Sequence, residues 1–361
     1  MGIYLETDIY QPKISRKGFM EYEIELKLLT NEHAGEVIET KLLPQLNASI
    51  TQKTLVLTNH YFDTPDRVLR QHDIGLRIRG NNQDFEQTLK TSGKSIGGLH
   101  QRPEYNVQLD ALKKQNFEVP DLRLFPLSAW PKTIDVDELQ TKIETLFSTH
   151  FERSVYLLEF SHGDIVELVW DLGEVRSANK SAPICEIELE LKKGDTKALF
   201  DLAKRIVGLL PTSIGTDSKA ARGYHLRDGL PAKKREKHQQ KRAEKLPLEA
   251  DEHARLLTTL LQDFQLFSAE IRHQYSEELA TNIKHVLVGL VDNIAQFRDY
   301  FPCPFLERIH IKLQDLVNDW SLVSKQNNKN DICSLLTRAS TTQLQLDILQ
   351  SLVEQPWSPK V

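Results

Sequence analysis

Glu23-Ile24-Glu25-Leu26-Lys27 sets three charges of both signs on one face of an extended segment and two apolar side chains on the other. Period-two alternation marks a strand. A solvent-facing strand normally mixes Thr, Ser, Gln and Lys, and the same departure from that mixture recurs down the chain. Arg77 and Arg79 alternate with Leu76 and Ile78, Lys90 ends QTLK, and Arg102 and Glu104 lie in HQRPEY. Glu167 and Asp171 lie in IVELVWD, and Glu186, Glu188 and Glu190 in ICEIELEL; Arg153 in FERSVYLLEF and Lys219 in DSKAARGYH complete the set. Any one such strand could belong to an open sheet wetted on one face. Taken together, they predict strands closed into a barrel, with eight acids and seven bases turned into its lumen. Unpaired buried charges cost several kcal/mol per ion, so this lumen must stay wet and hold ligands. Clustered carboxylates suit hard divalent cations, and Arg and Lys suit a polyanion, the Arg fork matching phosphate oxygens. Metal plus polyphosphate neutralises both sets.

The chain has 361 residues, enough for two domains. Met1–Phe19 is polar and unpatterned and reads as an extension or a mis-assigned start. Residues 20–230 are dominated by alternating segments, interrupted by helical spacing at Glu32–Leu46, Val136–Phe147 and Thr196–Leu210. In the last of these, Leu199, Leu202, Ile206 and Leu209 share a face, with Asp195 as N-cap. Lys233, Lys234, Arg235, Lys237, Lys241, Arg242 and Lys245 crowd a basic linker, 231–247, read as a solvated connector or a polyanion-contacting arm. From 248 to 361 the period becomes 3.6. The first three helix faces are Leu256, Leu260, Phe264, Phe267, Ile271; Ile283, Leu287, Leu290, Ile294, Phe297; and Leu306, Ile309, Leu313, Leu316, Trp320. A fourth helix runs from Leu335 to Leu352, so the expected class is α+β: an antiparallel barrel followed by an up-and-down bundle.

Net charge is −5, which argues against bulk nucleic-acid binding. There is no apolar run long enough to span a bilayer and no apolar leader at the N-terminus, so no membrane association is expected. Three cysteines, Cys185, Cys303 and Cys333, make neither a disulfide framework nor a CxxC site, and a cytoplasmic location is the expectation.

EIELK is the ExExK motif, and the chain resembles the CYTH, or triphosphate tunnel metalloenzyme, family. The likeness continues in order through YFDTPD, LRIR, QTLK, GGLHQRPEY, FERS, WDLGE, CEIELE and SKAARGYHL, from about Met20 to Asp228. In detail it is similar to the bacterial inorganic triphosphatase branch, in which the tunnel is commonly fused to a helical CHAD domain. The resemblance implies an eight-stranded tunnel and magnesium- or manganese-dependent hydrolysis of tripolyphosphate to phosphate and pyrophosphate, with two ions during turnover. It assigns metal binding to Glu23, Glu25, Glu104, Asp171, Glu186 and Glu188. Phosphate contacts fall to Lys27, Arg77, Arg79, Lys90, Arg102, Arg153 and Lys219, and catalysis to Lys27, Glu23, Glu25 and Glu188. Glu167 and Glu190 follow from strand parity alone.

CHAD domains are rich in basic residues, whereas 249–361 holds fifteen acids and ten bases. The segment reads as a truncated CHAD-like bundle with a role in stability or in a homodimer contact. The same tunnel charges would serve a class IV adenylate cyclase, a thiamine triphosphatase, an NTP hydrolase or a non-catalytic polyphosphate-binding module. No Ser, Cys or His stands out as a nucleophile. His60, His100 and His225 lie near motifs but read as structural or surface residues, and Gly97-Gly98 reads as a hairpin turn, since no GK[ST] follows.

Overall fold

The computed structural model describes residues 20–81, 84–109, 119–229, 249–326 and 328–357. The predicted extension, 1–19, and the basic linker, 231–247, lie outside these residues. The described residues fall into two compact units: 20–199 with 217–229, and 200–216 with 249–357.

The first unit is built on β1 (Met20–Leu29), β2 (Ala48–Asp63), β3 (Gly75–Asn81), β4 (Asp84–Lys90), the short β5 (Lys94–Ile96), β6 (Leu99–Leu109), β7 (Glu144–Phe160), β8 (Ile165–Ser177) and β9 (Lys180–Lys193). Antiparallel pairing runs β1-β9-β8-β7-β2-β3-β4-β6 and closes from β6 back to β1, giving an eight-stranded barrel. β5 pairs with β6 through the Gly97-Gly98 turn, where both φ values are positive (51° and 102°) and glycine carries no steric penalty.

The barrel is inverted relative to an ordinary core. On β3, Leu76 and Ile78 are buried on the outer wall. They pack there with Leu89, Tyr105, Leu122, Phe125, Trp130 and Leu139, covered by the 119–143 segment and its helix α3 (Val136–Lys142). Apolar burial is spent outside the strands, and the inward positions are left to charge. The helix expected over Val136–Phe147 stops at Lys142; β7 takes over because Leu146 and Phe147 are drawn into an apolar cluster with Leu57, Tyr61, Phe151, Val175, Ile184 and Tyr224. The helix expected over Glu32–Leu46 is a mixed run, α-helical at Ala34–Val37, π-type at Ile38–Leu42 and 3-10 at Leu43–Gln45.

Helix α5 (Lys219–Asp228) starts at Ser218, whose hydroxyl accepts from the Ala221 N–H at 3.1 Å. It lies close against β7: a Cβ on Gly223 would come 2.0 Å from the Phe147 ring.

In the second unit, residues 200–216 include most of a helix, Lys197–Leu209, which lies within the helical spacing expected over Thr196–Leu210. Their contacts are with the C-terminal helices: Lys204 pairs with Asp347 at 2.6 Å, and the Thr342 hydroxyl donates to the Thr212 carbonyl at 2.6 Å. Asp195 caps this helix as expected, accepting from the Lys197 N–H at 2.7 Å. The C-terminal helices span Ala250–His273, Glu277–Tyr300, Pro304–Val323, Lys329–Thr337 and Ala339–Glu354. The expected fourth helix is therefore two, broken where Arg338 turns extended (ψ 152°). The first helix buries Leu257, Leu261, Phe264 and Ile271, and leaves Leu256 exposed. The face is turned because buried His253 stacks on Phe297 at 4.9 Å and meets the Asn293 amide at 3.2 Å. Among the described residues no helix is long and apolar enough to cross a membrane.

Gly223→Ala is expected to lower stability by about 1–3 kcal/mol through overpacking against Phe147, outweighing alanine's helix advantage of about 1 kcal/mol. A lower urea midpoint at unchanged m value checks this.

Candidate active site

The inward positions form two linked charge clusters. In the first, Asp171 on β8 and Glu186 and Glu188 on β9 bring carboxylate oxygens within 4.8 Å of one another. Four cations interleave them. Lys27 donates to Glu188 at 2.7 Å and Glu186 at 3.3 Å. Arg153 makes a fork to Asp171, 2.7 Å on each arm, and reaches Glu188 at 2.8 Å. From α5, Lys219 lies 2.6 Å from Asp171, 3.0 Å from Glu188 and in contact with Glu186, which Arg222 also pairs. The register explains the convergence: Lys27 lies opposite Glu188, and Asp171 opposite both Glu186 and Arg153.

In the second cluster Lys90 bridges Glu23 and Glu104, the latter at 3.3 Å, and Arg77 approaches Glu104 at 3.7 Å. Arg79, on β3 diametrically across the barrel from β9, has a different environment. Its Nε donates to the Asn59 side-chain oxygen at 3.0 Å, and among the described residues no carboxylate lies within ion-pair distance. The Arg77 Nε is buried without a partner.

Protonation follows from this layout. Burial pushes Glu23 up to about 7 and also raises Glu25. Glu104 is driven the same way by burial, but Lys90 and Arg77 outweigh it and bring it down to about 2. Burial would also neutralise Lys27; Glu186 and Glu188 more than compensate and hold it firmly charged. For Arg79 the compensation falls short: burial, then Arg77 and Arg153, outweigh Glu86 and Tyr61 and pull it down to about 10. A partly buried cation whose hydrogen-bond partner is neutral is a place prepared for an anion.

Accessibility runs along the barrel axis. On β9 the side chain is 0% exposed at Glu186, 12% at Glu188, 25% at Glu190 and 38% at Lys192. The tunnel is thus stopped on the α5 side, where Tyr224 joins the apolar cluster, and opens on the Glu190 side. Glu167 and Glu190 lie at that open end, opposite each other in register and sharing Lys192.

The structure brings together every residue expected in the lumen except Arg102. Its guanidinium is tied at the edge to the Thr91 and Asp73 carbonyls, at 3.0 and 2.7 Å, and to the Asp73 carboxylate at 3.2 Å. Sequence reasoning missed Arg222, Asn59 and His100. His100 shares the face of Arg102 and Glu104 and lies opposite Glu25; burial, then Lys27, Arg102 and Lys90, pull its imidazole down to about 4. Its parity in HQRPE was the available clue. Arg222 could have been found by adding one helical turn to Lys219.

The CYTH domain family model matches residues 21–224, more than half the chain, running through the barrel strands and into α5. The chain belongs to the CYTH domain family. The inorganic triphosphatase of Haemophilus influenzae is 38% identical over 214 residues, 58% of this chain and 56% of the relative, so the CYTH chain described here spans little more than half of that protein's length. Among solved structures, a candidate adenylyl cyclase from Hippeastrum, described as revealing a dominant triphosphatase activity, covers 58% of this chain and is itself 98% covered, at 23% identity and TM-score 0.41. A candidate adenylate cyclase from Bacillus halodurans covers 56% and is 97% covered, at 22% identity and TM-score 0.34. With TM-scores below 0.5, neither bears on the reading of the site.

An unfolded His100 takes a proton near 6.5, the native one near 4. Between these values the unfolded chain holds more protons, so the residue costs the native state stability as pH falls through that window. Comparing unfolding free energies from about pH 7.5 to about pH 4, His100→Gln is expected to gain on the order of 2–3 kcal/mol relative to wild type. Urea titrations at both ends of the window check it, and a difference that does not change with pH would place the imidazole in water.

Proposed function

We propose that this CYTH chain is a divalent-metal-dependent inorganic triphosphatase that hydrolyses tripolyphosphate to phosphate and pyrophosphate in the barrel lumen, with magnesium or manganese as the ion. One observation carries the reading: Arg79, partly buried, donates to the Asn59 amide with no carboxylate among the described residues within ion-pair distance, and faces a carboxylate triad across the lumen. An anion is wanted on one wall and a hard cation on the other.

Asp171, Glu186 and Glu188 fit such an ion, being hard oxygen donors already gathered at one place, and Glu23, Glu25 and Glu104 would serve a second. When bound, a divalent ion supplies charge neutralisation at phosphate oxygens and a more acidic water. Phosphoryl transfer otherwise asks for positioning and electrostatics, and the chain's own side chains provide both. Arg77, Arg79, Lys90, Arg153 and Lys219 would orient the phosphate chain, with Arg102 at the edge. Lys27, locked in its charged form, would offset charge on the departing pyrophosphate.

An inorganic substrate is favoured by how the nearest rings are occupied. Tyr61 stacks on Phe147 at 4.9 Å, and Phe151 carries Arg153 and Lys219 at 5.6 and 5.1 Å from its centroid. All three rings are buried, so none offers a face to a base or a thiazole. The name of the Haemophilus influenzae relative supports the same choice. We further read the C-terminal helices as a shortened CHAD-like bundle acting in stability or dimerisation, and the three free cysteines as those of a cytoplasmic protein.

Phosphate release from tripolyphosphate is expected to exceed that from ATP or thiamine triphosphate in kcat/KM, and to stop in excess EDTA. A higher kcat/KM for ATP, or cyclic AMP as product, would replace this reading.

Two substitutions separate roles. Glu25→Gln should abolish turnover while leaving the fold and tripolyphosphate binding in place. Arg79→Ala should weaken tripolyphosphate binding by roughly 1.5–3 kcal/mol, the worth of a hydrogen bond to a charged group. Calorimetric titration against steady-state kinetics distinguishes the two.

A further inference from the structure

The YFDTPD segment supplies no charged side chain to the lumen, yet its first aspartate is among the most fully engaged carboxylates in the first unit. Asp63 is completely buried. Its Oδ1 accepts from the Thr64 and Leu69 N–H groups at 2.7 and 2.8 Å; its Oδ2 accepts from the Arg70 N–H at 3.0 Å and from the Tyr224 hydroxyl at 2.7 Å. Three of these bonds shape the turn that follows β2. The fourth reaches 161 residues along the chain to α5.

The same turn holds α5 at two more points. Arg70 lies over the Tyr224 ring, 4.4 Å from its centroid. Arg67, in the left-handed region at φ 64°, makes a two-armed fork to Asp228, 2.8 Å on each arm. Tyr224 and Asp228 are four residues apart and share one helix face; Lys219 and Arg222, three apart, share another. Gly223 rests on Phe147. One face of α5 is thus pinned to the turn, and the other carries the two cations that meet Asp171, Glu186 and Glu188.

We propose that Asp63 and Tyr224 are positioning residues that set the depth of Lys219 and Arg222 in the lumen, and so the affinity for the phosphate chain. The proposal rests on the triphosphatase reading. It accounts for the pairing of two motifs at opposite ends of the barrel sequence, neither of which the chemistry explains alone. Tyr224 suits the task because burial, then Asp63, raises its hydroxyl well above the ordinary phenol range, keeping it a donor at any working pH.

Tyr224→Phe removes the hydroxyl and keeps the ring under Arg70 and beside Phe147. In the full chain, calorimetry with tripolyphosphate should show Kd raised on the order of tenfold, with KM following and kcat within about twofold. A double-mutant cycle tests the route: with Lys219 and Arg222 both replaced by Ala, adding Tyr224→Phe should change Kd less than about twofold. A tenfold loss in both backgrounds would make Tyr224 merely structural and overturn the proposal, as would an unchanged Kd in the single variant. If Tyr224→Phe lowers yield, Arg67→Ala at the surface anchor serves in its place, with the same split expected and the same outcomes overturning it. Wild-type protein that neither binds nor cleaves tripolyphosphate would remove the triphosphatase reading itself, whereas wild-type activity with an unaffected variant would remove only the positioning role of Asp63 and Tyr224.

Discussion

Charge compensation inside a closed wall is the constraint on which the rest of this structure depends. Glu188 accepts from Lys27, Arg153 and Lys219 at once, and each of those cations also touches a second carboxylate. Removing one member would leave its partners still paired but the buried cluster carrying an uncompensated charge, which is costly in a low-dielectric interior. The lumen is therefore organised as a mesh that strand register fixes: Lys27 is set opposite Glu188 and Arg153 opposite Asp171, while the like-charged pair Asp171 and Glu186 is joined by Lys219. The folding free energy comes from elsewhere. It comes from the outer wall, where Leu76, Ile78, Leu89 and their covering segment bury the apolar face of the sheet.

Compensation is incomplete, and the residue of it lies in one place. The α5 side of the lumen sets Lys27, Arg153, Lys219 and Arg222 against three carboxylates, while Arg79 bonds to the Asn59 amide with no carboxylate among the described residues within ion-pair distance. The open end carries acids whose carboxyls burial has raised to about 7, Glu23 and Glu190. An anionic chain entering from the Glu190 side would pass from weakly ionised carboxyls toward firmly charged bases. The gradient in accessibility along β9 runs in the same direction, so geometry and electrostatics agree on which end admits a ligand and which end holds it.

Much of this was legible in the order of residues. Period-two charge in EIELK, LRIR and ICEIELEL identified both the strands and the face that matters, because strand parity is a local property of the chain. The family likeness rested on the same residues. Misreadings arose where a local pattern has two solutions. Val136–Phe147 has helical spacing, but its last residues join a strand because Leu146 and Phe147 have an apolar cluster to enter. The first C-terminal helix offered two adjacent apolar stripes, and the one containing Leu257 and Leu261 faces the core because His253 and Phe297 stack.

The sequence by itself determined that this is a charged-lumen barrel with carboxylates and bases in numbers suited to a metal and a polyphosphate. Alternation is read residue by residue and needs no partner to be meaningful. Only the tertiary structure decided how those charges are shared: that among the described residues no carboxylate lies within ion-pair distance of Arg79, that Arg102 is spent on the Thr91 and Asp73 carbonyls, that His100 is inside, and that α5 stops one end of the tunnel. It also decided that Asp63, unremarkable among the chain's acids in one dimension, anchors Tyr224 from 161 residues away. Those facts depend on distances across the barrel, which closure of β6 on β1 creates and which no local spacing encodes.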